Sequence, residues 1–187
     1  MISLVAVKCK KNKTSIKVNG FEKLLSGGDL RSLGKSDSIV LKVRDQNNFD
    51  ELFKFLFHKD RIVVMRAADA IEKITFRHPV YLTKYKNVIL ELCRFVKNKE
   101  LKWHIALLIA RLNLSGKETG MVWKILVSWA TGKEESKIVR VNSIQALYEI
   151  NRRNEKYSKR FKLLLTEIKE ENIPSINARI RKFIYVP

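Results

Sequence analysis

Three stretches of this chain, residues 62–74, 100–112 and 138–150, lie over one another without a gap, each starting 38 residues after the last. Val63, Leu101 and Val139 share one column; Ile71, Ile109 and Leu147 share a second; Ile74, Leu112 and Ile150 share a third. The columns recur at helical spacing, so each stretch reads as one amphipathic helix. Asp60, Asn98 and Ser136 stand just before the three helices. All three are good N-cap residues, able to accept hydrogen bonds from backbone N–H groups that a helix start leaves unpaired. A fourth copy follows at an offset of 37, where Pro174 takes the first helical position and Ile173 interrupts the cap column.

A second helix precedes each of these. Its expected core stripes are Phe49, Leu52, Phe53 and Leu56; then Val88, Leu92, Phe95 and Val96; then Val122, Ile125, Leu126 and Trp129; and last Tyr157, Phe161, Leu164, Leu165 and Ile168. The unit is therefore a pair of antiparallel helices that cannot bury its apolar face alone and must stack on its neighbours. Composition agrees, because 7 Gly and 3 Pro in 187 residues supply too little punctuation for an all-β chain, and 45% hydrophobic residues exclude wholesale disorder. Cys9 and Cys93 fit no metal-ligand spacing and read as free thiols in a reducing compartment. Apolar runs such as 105–110 fall far short of the roughly 20 residues a bilayer requires, and residues 1–7 lack the marks of an export signal. A soluble, cytoplasmic, monomeric chain is the expectation.

The strings Val139-Arg140 with Ala146-Leu147, and Arg66-Ala67 with Ile71-Glu72-Lys73, resemble the second-helix signature of HEAT repeats. Residues 28–37 and 65–73, with Trp103-His104, resemble a family of small prokaryotic HEAT-repeat proteins of unassigned activity. The resemblance spans roughly residues 28–187. It implies an armadillo-type scaffold that binds protein or nucleic acid on a face lined by the second helices. The expected fold is all-α, a right-handed α-α solenoid of about four HEAT-like helix pairs behind an N-terminal capping segment. The repeats are 49–84, 85–116, 117–154 and 155–187. Residues 21–48 form capping helices within a single domain, 21–187, and residues 1–20 form either a basic arm or a small hairpin. The position that usually holds Arg in the second helix carries Val64, Lys102, Arg140 and Asn177, so a charged ladder between repeats is incomplete.

With 38 Lys and Arg against 19 Asp and Glu, the net charge is +19, and it is spread along the chain. It reads either as a solvated lysine-rich surface or as attraction to a polyanion through counterion release. Arg61, Lys99 and Lys137 follow the three caps directly. A helix N-terminus carries partial positive charge, so a cation there typically costs about 0.3–1 kcal/mol. Three such placements in register point to an anion-binding column, unless the side chains simply reach into solvent. Arg66, His104, Asn142 and Arg179 place one polar group per repeat on the expected partner-facing side. Lys102 and Arg140 add charge to the same helices. Trp123, which falls off its helix's stripe, is the expected exposed aromatic for stacking on a base.

Catalytic templates fail. His58, His78 and His104 have no metal-binding spacing, and Gly34-Lys35-Ser36 lacks the upstream glycine of a phosphate loop. No cofactor or metal is expected. The leading expectation is a non-catalytic scaffold binding DNA, RNA or another polyanion through a basic face. A scaffold for an acidic protein is the first alternative. The second is an enzyme resembling HEAT-like alkylpurine DNA glycosylases, for which Asp69 with Trp103 would be the nearest groove pair.

Overall fold

The cap register sets the helix starts. Asp60, Asn98 and Ser136 each sit in extended backbone, and their side chains accept from N–H groups two or three residues on. They open helices Arg61–Arg77, Lys99–Ala110 and Lys137–Arg153. Pro174 opens the fourth equivalent helix, Pro174–Ile184. In a computed structural model of the protein, residues 18–27 and 36–184 are described. Over them run ten α-helices: α1 (Val18–Leu25), α2 (Ser36–Lys42), α3 (Gln46–Phe53), α4 (Arg61–Arg77), α5 (Lys86–Phe95), α6 (Lys99–Ala110), α7 (Gly116–Thr131), α8 (Lys137–Arg153), α9 (Ser158–Lys169) and α10 (Pro174–Ile184). Short 3-10 helices at Lys54–Phe57, Pro79–Tyr85 and Glu155–Tyr157 complete the turns. The class is all-α, with no strand among the described residues. The arm or hairpin expected over residues 1–20 lies outside the described residues, except that Val18 to Gly20 already belong to α1. Among the described residues, no helix is long and apolar enough to cross a membrane.

Packing is serial. α2 packs on α4, α4 on α6, α6 on α8 and α8 on α10; α3, α5, α7 and α9 pack on α4, α6, α8 and α10 respectively. The three predicted apolar columns are buried throughout, with Ile71, Ile109 and Leu147 fully enclosed. At Gly132, the C-cap of α7, an added Cβ would stand 2.9 Å from the Ser128 carbonyl oxygen, so only glycine fits this turn.

One core stripe is rotated from its expected position. α5 buries Ile89, Leu90 and Cys93, and Phe95 is 70% exposed. The sequence around α5 is apolar over a wide arc, at Val88, Ile89, Leu90, Leu92, Cys93, Phe95 and Val96. Lys86, Asn87, Glu91 and Arg94 share one side of the helix, and Phe95 lies at the edge of the apolar arc beside Glu91. Packing against α6 and α7 therefore buries the centre of the arc and leaves Phe95 outside.

Candidate nucleic-acid interface

The polar column expected to face a partner instead joins successive helices. Arg66, 2% exposed, donates from Nη1 to the Leu25 and Ser26 carbonyls at 2.8 and 3.1 Å, closing the C-terminal end of α1. His104 Nδ1 on α6 lies 2.5 Å from Glu72 Oε2 on α4. Asn142 on α8 donates to the Trp103 carbonyl of α6 at 3.2 Å, and Arg179 on α10 donates to Gln145 Oε1 of α8 at 2.7 Å. His104, Asn142 and Arg179 each reach back one helix in the row and Arg66 reaches the end of α1, because a polar side chain at a helix contact must find a partner across it. Arg66 and His104 are buried rather than partner-facing, while Asn142 and Arg179 are half-buried and engaged by their neighbours.

Lys102 and Arg140 are engaged likewise. Lys102 pairs with Glu135 in the turn before α8 and stands 5.4 Å over the Trp129 ring. Arg140 donates from Nε to the Ala130 carbonyl at 2.8 Å and forks onto both Glu171 oxygens at 2.9 and 2.7 Å. The Arg140 guanidinium holds the Glu171 carboxyl below the usual carboxylate range, against a smaller opposing push from burial. Val64 is buried in the core at the near end of this column. Asn177, at its far end, has a buried Oδ1 without a hydrogen-bond partner among the described residues.

Trp123 is 5% exposed, so it is no stacking platform. Its ring stacks on Tyr157 at 4.2 Å with 16° between the planes, and Phe161 meets its edge at 6.3 Å. Helix α7 therefore buries a second stripe, Thr119, Trp123, Leu126 and Ala130, toward the next repeat. The spacing of four, three and four is helical, so the sequence held that signal.

The anion column remains at the surface, with one member engaged. Arg61 Nη2 and Nε bond Glu100 Oε2 at 2.5 and 3.0 Å, joining the first turns of α4 and α6. Burial pushes the Glu100 carboxyl up, but the bond from Arg61 and the charge of Lys99 outweigh it and hold the group low. Lys99 and Lys137 are exposed. Sequence reasoning missed what stands beside them. Phe57 is 60% exposed and Phe95 70%, and they are 38 residues apart, in the same register as the caps. Lys59 and Lys97, also exposed and in register, follow them. The turn edge thus repeats an aromatic, a lysine, a cap and a cation: Phe57, Lys59, Asp60, Arg61, then Phe95, Lys97, Asn98, Lys99. In the third copy Lys133 takes the aromatic position and Glu135 the lysine position, and Ile138 is exposed where Glu100 is buried.

Asp69, the carboxylate of the glycosylase alternative, is ion-paired with Lys73 Nζ at 2.9 Å. Among the described residues, no group of His, Cys, Asp and Glu is arranged to hold a metal ion. Comparison of the chain with protein-family models, curated proteins and solved structures found no match.

Proposed function

We propose that this chain is a non-catalytic scaffold, a right-handed solenoid of about four HEAT-like helix pairs, which binds nucleic acid or a similar polyanion along the turn edge. One observation carries the reading. The turn-edge carboxylates Glu100, Glu135 and Glu171 are each taken by Arg61, Lys102 and Arg140, while Lys59, Lys97, Lys99, Lys133 and Lys137 stay exposed. Besides the cap Asp60, Glu134 and Glu170 are the exposed acids left in these turns. The five lysines outnumber them, so the edge offers a positive excess outward, for which phosphates that displace counterions are a natural complement. The Cys93 thiol, pushed up to about 12 by burial, is an inert core group, in keeping with a cytoplasmic protein.

The test is a salt-titrated binding measurement with duplex DNA and with RNA. Dissociation constants on the order of micromolar that weaken steeply with salt are expected. No binding at low salt overturns the reading.

A protein partner is the second reading. It is favoured by a cleft of about 680 Å³ between α2 and α4, where Leu41 and Phe76 are 77% and 78% exposed beside Arg77. Leu41→Glu and Phe76→Glu would abolish such docking and leave polyanion binding in place.

A further inference from the structure

Phe57 and Phe95 need an account that the charge alone does not give. A phenylalanine this exposed forgoes most of the gain from burial, with Phe57 keeping a tilted contact to Phe53 at 6.4 Å, and here two occupy one register position 38 residues apart. Each is followed at the second position by an exposed lysine and at the fourth by a cation. Phosphates would be met by the lysines on their own; flat apolar rings beside them add a complement for the flat apolar faces of bases.

The geometry points to a single-stranded polynucleotide as the ligand of this edge, with Phe57 and Phe95 each stacking on a base and Lys59, Lys97 and Lys99 holding the intervening phosphates. The inference rests on the polyanion reading and narrows it. Two physical features favour a single strand over a duplex. A duplex buries its base faces within the stack, so exposed rings gain little from it, whereas an unpaired strand presents every face. Packed helices stand roughly 10 Å apart, whereas bases stacked in a duplex rise only about 3.4 Å per step. The two rings precede α4 and α6, which pack on each other, so a strand that follows this edge advances by a helix spacing rather than by a duplex rise. Arg61 contributes less than Lys99, because Glu100 already neutralises it. Beyond the second repeat the pattern stops: Lys133 and Lys137 continue the charge, but no ring accompanies them.

The experiment uses the full chain and three probes of equal length, about 15 nucleotides, within the span one stacking surface can cover. They are a thymidine oligomer, its abasic counterpart with the same phosphates, and a duplex. The expected result is that the thymidine oligomer binds tenfold or more tighter than the abasic strand, and tighter than the duplex. Phe57→Ala and Phe95→Ala should each weaken thymidine binding about tenfold and leave abasic binding unchanged. Phe57→Leu with Phe95→Leu keeps apolar area without an aromatic face and should behave as the alanine pair does; rescue by leucine overturns base stacking. Lys59→Gln and Lys97→Gln should weaken both single strands, each lowering the salt slope by about 0.7. Both rings are exposed, so an unchanged helical circular-dichroism signal is expected in every variant. Equal binding of thymidine and abasic strands, or a duplex preference, overturns this inference and leaves the polyanion reading standing. No binding of any probe at low salt removes both.

Discussion

Lys137 and Arg140 stand three residues apart on α8, and Phe95 and Trp123 lie on the first helices of adjacent repeats. Within each pair the chemistry is similar and the surroundings are opposite. Arg140 is enclosed, forked on Glu171 and capping the Ala130 carbonyl, while Lys137 projects from the first turn into water. Trp123 is stacked on Tyr157, while Phe95 is open to solvent. Three residues along a helix leave a side chain only about 60° round from its starting direction and carry it about 4.5 Å along the axis, so the difference is one of depth, from the exposed first turn to the enclosed second. Residue type therefore says little here about role, and position within the 38-residue register says a great deal. Contacts between helices enclose Arg140 and Trp123, whereas at the turn edge Lys137 and Phe95 stay exposed and Arg61 is taken by Glu100.

Stability measurements should split these pairs. Trp123→Ala removes a buried ring and should cost about 3–5 kcal/mol in urea unfolding, whereas Phe95→Ala should stay within about 0.5 kcal/mol of the parent. Similar losses for the two would abolish the distinction between contact and edge. For the cations, Arg140→Met should cost about 2–3 kcal/mol. That is below the usual cost of a broken buried pair, because the abandoned Glu171 is about a quarter exposed and regains water. Lys137→Met should be nearly silent.

Much of this organisation was legible in the sequence, for reasons of local physics. The apolar columns and the caps depend on helical spacing and on short side chains next to free N–H groups, and both repeat every 38 residues. Other features had no such signal. Arg66, His104, Asn142 and Arg179 share a column, but their acceptors, at Leu25, Glu72, Trp103 and Gln145, share none. A polar column with aperiodic partners looks outward-facing until the packing is known. The face of α5 was misplaced because its apolar arc is wide and Phe95 stands at the edge of it, beside Glu91. Its true orientation released Phe95 to the surface, where its match with Phe57 at the repeat offset acquires meaning.

Acid should weaken the folded state through the carboxylates held by cations. Glu118 closes the capping box of α7 with Ser115 and bonds Lys86 at 2.6 Å, which brings its pKa from an ordinary 4.5 down to about 2. The folded value lies below the unfolded one, so the contribution is complete above about 4.5 and is lost as pH falls toward about 2. Glu171 and Glu100 shift in the same direction, each held low with a cation as partner. The melting temperature should drop across that window, and Glu118→Gln should flatten the drop. An equal slope in the variant would show that the Lys86 pair contributes nothing.

The smallest effect probes the turn edge itself. A cation in the first turn opposes the helix dipole, so Lys137→Gln should raise stability by about 0.3 kcal/mol, near 1 °C in melting temperature, while loosening polyanion binding. Lys99→Gln should not show the gain. Lys99 lies close enough to Glu100 for its charge to help hold that buried carboxylate ionised, so its removal offsets the relief of the dipole. Lys137 has Ile138 in the place of Glu100 and lacks that local role. A gain at Lys137 together with weaker binding would mark a residue kept at the edge against the preference of its own helix. A loss of stability at Lys137 would instead assign it to the fold and take it out of the interface.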